Sequence, residues 1–193
     1  MLWESGLLCG IFGNLLESSV QKVIEILCFL PNDIDFALGL SGLFCDFETD
    51  FCIDKMQSLK LSNKCMKHIN FLLEKRGVLL NSDIRLWQLK ILLAEPYFDD
   101  LFELQKALQK SYGLEVSSLD KIRDRAEELG QAELKPEPLL NGHELMCLGA
   151  VSGPEVGHIA REMYIAQLEG DIKTKKQAEK WVKKWLLKHK NAR

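Results

Sequence analysis

Leu140-Asn-Gly-His-Glu-Leu-Met-Cys-Leu-Gly149, followed after Ala150-Val151 by Ser152-Gly-Pro-Glu-Val-Gly157-His-Ile159, is the stretch that decides how the chain is read. Two helical segments meet there at a tight turn, and glycine permits the positive φ or close backbone approach that such a turn needs. Pro154 suits the first helical position, where its missing N–H costs nothing. The unpaired N–H groups of that first turn, with the positive end of the helix dipole, make a ready place for an anion. Gly153, Pro154 and Gly157 are therefore candidate phosphate-positioning residues, and His158 is a candidate donor beside them. Each also has a plainer reading. Gly-Pro before a helix is often only a connection, and Gly157 could pack against Leu145 and Leu148.

Downstream, Leu168-Glu-Gly170-Asp-Ile-Lys-Thr174 forms a second glycine turn. It leads into a helix opened by Thr174-x-x-Gln177, the pattern of a capping box. From Asp171 onward, eight lysines (173, 175, 176, 180, 183, 184, 188 and 190) and Arg193 face only Asp171 and Glu179. Lys173, Thr174, Lys175 and Lys176 are the candidate phosphate contacts. Trp181 and Trp185, four apart, read either as a core stripe or as a stacking surface.

Upstream the period is helical throughout. Leu15, Leu16, Val20, Val23, Ile24 and Leu27 recur at three and four residues, and Pro31 stops them. Asp33 or Asp35 can cap the next segment, Asp35 to Phe47, which is nearly all apolar. Further helices are expected at residues 56–61, 64–76 (capped by Asn63), 83–94 (capped by Ser82), 97–112 and 119–129 (capped by Ser118). After the Pro-containing residues 131–140 come 142–148, 154–168 and 174–190. No β-alternation and no internal repeat is evident. The expectation is an all-α chain: a helical bundle over 1–130, a linker over 131–140, and a smaller helical unit over 141–193.

Composition agrees with a packed core, at 47% apolar and 27% charged residues among 193. The net charge of -3 does not by itself suggest a nucleic acid, but the basic end does. No apolar run is long enough to span a bilayer, and Glu4 stands where a signal peptide carries positive charge. Six cysteines without a secretory signal suit a reducing cytoplasm.

Residues 139–185 resemble the C-terminal region of bacterial class II tRNA nucleotidyltransferases and poly(A) polymerases. The family's pattern is matched or nearly matched at Gly142, Glu144, Leu145, Leu148, Gly149, Gly153, Pro154, Gly157, Ile159, Leu168, Gly170, Ile172 and Thr174. Glu144 stands where the family usually carries Asp. Leu59-Lys-Leu-Ser-Asn63 and Leu40-Ser-Gly-Leu-Phe-Cys-Asp46 resemble segments of its neck and body, with Cys45 in place of a His. The resemblance implies a tRNA partner, gripped at the acceptor stem and T-arm side through backbone and shape.

The family's catalytic head carries a strand-borne Asp-x-Asp holding two Mg²⁺, and it uses ATP or CTP. That head is not recognisable here. Asp33-Ile-Asp35 reads as a helix start, and Arg123-Asp124-Arg125 as a solvated face. The expectation is thus a chain without catalytic residues, resident cofactor or metal, inactive alone, truncated or paired with a separate catalytic head. Cys45, Cys52, Cys65 and His68 lack zinc-finger spacing. Two rivals stay open: a divergent metal-dependent phosphohydrolase built around Asp46, and a helical protein-interaction module.

Overall fold

The computed structural model describes residues 17–129 and 134–190. Within them the chain is all helical, with no β-strand. Ten α-helices follow in order: α1 Glu17–Phe29, α2 Phe36–Phe44, α3 Thr49–Ser58, α4 Asn63–Lys75, α5 Leu86–Leu93, α6 Phe98–Ser111, α7 Ser117–Glu127, α8 Gly142–Cys147, α9 Pro154–Glu169 and α10 Lys175–Lys190. No described helix is long and apolar enough to cross a membrane. The expected linker falls partly on 130–133, outside the described residues.

The chain divides into two compact units. The first comprises residues 1–82 and 96–125, the second 83–95 and 126–193. This grouping differs from a split at 131–140, because α5 belongs with the C-terminal helices and packs on α9. A linear reading places α5 in the bundle because its neighbours in sequence lie there.

In the N-terminal unit, α2 packs against α1, α4 and α6. Its sequence Phe-Ala-Leu-Gly-Leu-Ser-Gly-Leu-Phe leaves no polar face beyond Ser41, whose hydroxyl donates to the Ala37 carbonyl at 2.8 Å. Ala37, Leu40 and Phe44 join Cys52, Met56, Ile69 and Leu73 in one core cluster. Asp35 is the cap, its Oδ1 accepting from the Leu38 N–H at 2.8 Å. The cap of α4 is Ser62 rather than Asn63, accepting from Cys65 N at 3.2 Å. Two expected boundaries shift. The helix expected at 56–61 runs instead over Thr49–Ser58, and α5 begins at Leu86 without a side-chain cap.

In the C-terminal unit, α8, α9 and α10 enclose Leu145, Ala150, Ile159, Met163, Ala166, Ile172, Ala178, Val182, Trp185 and Leu186. Caps fix the starts of α8 and α10. Asn141 Oδ1 accepts from Glu144 N at 3.0 Å while Glu144 Oε2 accepts from Asn141 N at 2.8 Å, a reciprocal box at α8. At α10, Thr174 N donates to Gln177 Oε1 at 3.1 Å and Gln177 N to Thr174 Oγ1 at 3.3 Å. Gly170 ends α9 at φ +86, and the next residue, Asp171, donates back to Ala166 O at 3.0 Å. That six-to-one closure needs the left-handed conformation glycine adopts freely.

Candidate nucleic-acid interface

The turn into α9 is built as its residues suggest. Gly153, at φ +110 and ψ -145, precedes Pro154 at the first helical position and offers no side-chain cap. Gly157 is exposed, and a Cβ placed there would meet nothing within 4 Å. Packing of Gly157 against Leu145 and Leu148, its plainer reading, is therefore absent. One feature of the turn opposes an anion: Glu155 lies in the first turn, its Oε2 accepting from Val151 N at 2.7 Å. Its carboxylate already answers the positive end of the helix.

His158 is tied rather than free. Its Nε2 lies 3.2 Å from Glu162 Oε1, and Glu162 Oε2 accepts from Trp185 Nε1 at 2.6 Å. Its ring meets Trp185 edge-on at 5.6 Å, and His189 stacks on Trp185 at 3.7 Å with 16° between planes. Trp181, Lys184, Trp185, Lys188, His189 and Glu162 line an open groove of about 410 Å³. Both tryptophans pack against the core, Trp185 only 9% exposed. They are primarily core residues, and the groove beside them joins their rims to two lysines. Glu162 and His189 carry no sequence motif. Only the i, i+4 spacings His158–Glu162 and Trp185–His189 could have suggested them.

On the basic helix Ala178, Val182, Trp185 and Leu186 face the core, while Lys176, Lys180, Lys183 and Lys184 stand exposed on the other side, with Leu187 exposed among them. Lys173 is exposed at the turn. Two candidates have other employment. The Thr174 hydroxyl is the acceptor of the α10 cap, and Lys175 pairs with Glu144. The hydrogen bond from Lys175 holds Glu144 below its usual carboxylate range and in turn raises Lys175.

The structure brings the candidates together as two groups, not one. Gly153, Pro154, Gly157 and His158 stand at the start of α9. Lys173 and Thr174 stand just past its end, with Lys175 and Lys176 opening α10. At about 1.5 Å per residue, the sixteen residues of α9 separate its two ends by roughly 24 Å. One phosphate cannot meet both groups, but a nucleic-acid backbone can run between them.

A curated protein, the CC-adding tRNA nucleotidyltransferase of Thermus thermophilus, is similar to part of this chain. Identity is 38% over 65 residues, which is 33% of this chain and 15% of the Thermus enzyme. The similarity is thus confined to a third of this chain and to less than a sixth of the Thermus enzyme's length. No family model matches the chain, and no solved structure matches it.

Residues of the other constellations have partners of their own. Asp46 accepts from the Tyr112 hydroxyl at 2.8 Å through both carboxylate oxygens, and burial pushes the neighbouring Cys45 thiol up to about 12. The Cys45 thiol donates to Gly42 O at 3.0 Å. Cys28, Cys45, Cys52, Cys65 and Cys147 form no disulfide. Arg123 and Arg125 are not simply solvated: Arg123 lies 4.4 Å over the Phe102 ring, and Arg125 donates to Ser82 O at 2.7 Å.

Proposed function

We propose that the C-terminal unit binds tRNA, as part of a protein related to the CCA-adding and poly(A) polymerase enzymes, with nucleotide transfer residing in a separate catalytic head. The carrying observation is the solvent face of α10. Four exposed lysines stand opposite its buried stripe, in a chain similar over 65 residues to a CC-adding tRNA nucleotidyltransferase. Lysines on one rigid face neutralise successive phosphates without reading bases, which suits recognition of a duplex by backbone and shape. Lys173 extends this face at one end of α9. The open turn at Gly153, Pro154 and Gly157, with His158, extends the footprint at the other, where Glu155 weakens its attraction for phosphate. The two Mg²⁺ and the ATP or CTP of the family would belong to the head.

Reversing charge on this face tests the proposal. A Lys176→Glu/Lys180→Glu/Lys183→Glu variant is expected to keep its circular dichroism and melting temperature. Its tRNA affinity, read by fluorescence anisotropy at fixed salt, should fall by more than tenfold. Unchanged affinity in the folded variant would remove α10 from the interface and favour a protein-interaction role.

A further inference from the structure

We propose that His68 and Asp100, in the N-terminal unit, hold a first-row divalent cation, with Asp35 orienting the His68 ring from its Nδ1 side. Three helices converge there: Asp35 caps α2, His68 lies in α4, and Asp100 lies in the first turn of α6. His68 is 5% exposed, and its ring is stacked on Tyr97 at 4.0 Å with 13° between planes, so its orientation is fixed. Asp35 uses one oxygen on the Leu38 N–H and places the other 3.3 Å from His68 Nδ1. A carboxylate at Nδ1 favours a proton on that nitrogen and leaves the lone pair on Nε2, the usual preparation of a histidine ligand.

On the far side, Nε2 lies 2.9 Å from Asp100 Oδ2, yet this buried nitrogen has no aligned hydrogen-bond partner. The 2.9 Å approach is either a poorly aligned His68–Asp100 hydrogen bond or an empty bridge, and a cation between the two atoms would satisfy both. Cis ligands each about 2.1 Å from an ion stand about 3.0 Å apart. The donor atoms of all three residues lie within 4.8 Å of one another. The Asp35 and Asp100 side chains are 55% and 36% exposed, which leaves room for water to complete the coordination. One imidazole with a carboxylate suits Mn²⁺, Fe²⁺ or Zn²⁺ better than softer or larger ions.

Mn²⁺ is the probe of choice, because the chain's thiols bind it poorly. Titrated calorimetrically and by electron paramagnetic resonance into the chelator-treated full chain, it should bind at one ion per chain and raise the melting temperature. Asp100→Asn should lower the affinity at least tenfold. Asp35→Asn, which retains a capping side chain, should also weaken it with the helix content unchanged. No binding at millimolar Mn²⁺, or equal binding by folded wild type and both variants, would overturn the site and leave His68 as a proton-bridged clamp. Neither result bears on tRNA affinity.

Discussion

The two units differ in what their polar bonds leave exposed. In the C-terminal unit the helix ends are closed by bonds between residues three to five apart, Asn141 with Glu144, Thr174 with Gln177 and Ala166 with Asp171, and Glu162 with Trp185 and Glu144 with Lys175 tie its helices together. In the N-terminal unit Asp35 and Ser62 are local caps, and the tying bonds include Tyr112 with Asp46, 66 residues apart, Gly77 with Gln105, and His68 with Asp35 and Asp100. In the C-terminal unit these ties leave Lys176, Lys180, Lys183 and Lys184 of α10 exposed. In the N-terminal unit they reach the buried His68 and Gln105 as well as the exposed Tyr112–Asp46 pair. One unit thus presents charge on an outer helix face, and the other holds polar side chains within its packing.

Core truncations should give the largest effects and show whether both interiors are equally tight. Leu145→Ala and Leu72→Ala each empty a fully buried position. Each is expected to cost about 2–5 kcal/mol in urea denaturation. A loss well under that range on one side only would mean that unit collapses around the cavity. Next in size, Asn141→Ala removes one half of the α8 box and should cost about 1 kcal/mol, whereas Asn63→Ala, beside rather than at the α4 cap, should cost only a few tenths. If Asn63→Ala proved as damaging, the contrast between the two caps would fail.

That pair shows what was legible. The box at 174–177 and the turns at Gly153 and Gly170 depend on neighbouring residues, so spacing reveals them; the box at 141–144 has the same spacing but is seen only in the structure. The α4 cap moved by one residue because Ser62 and Asn63 are both good caps and only geometry chooses. Placement of α5 with α9 was hidden, since Leu-Trp-Gln-Leu-Lys-Ile-Leu-Leu says that it is buried but not against what. For the site, the lysines and glycines were visible as residue types. Their division between the two ends of α9, the diversion of Lys175 to Glu144, and the Glu162–Trp185–His189 group were not, because each depends on which helices meet.

pH should separate the units more gently. Tyr112 and Cys45 are both raised to about 12 in the folded chain, from 10.0 and 9.0. Their neutral forms favour folding, so the stability they lend is whole below pH 9.0 and is lost as pH climbs toward 12. Urea midpoints measured over that range should fall less steeply for Tyr112→Phe. Glu144 is lowered, so its contribution is present above 4.5 and lost as pH falls through its folded value. Being exposed and screened, that acid effect should be slight and should vanish in high salt. Smallest of all, Gly157→Ala meets no neighbour and should stabilise α9 by up to about 1 kcal/mol. A destabilised variant would show hidden packing at the open turn.

Whether the lysine face of the C-terminal unit grips a tRNA backbone is tested most directly by the salt dependence of tRNA binding. With about four lysines on phosphates, the logarithm of affinity against the logarithm of salt concentration should fall with a slope of roughly -3 to -4. The Lys176→Glu/Lys180→Glu/Lys183→Glu variant should flatten it by about 2 or more. A slope near zero for the unaltered chain, or the same slope in both proteins, would contradict the lysine grip.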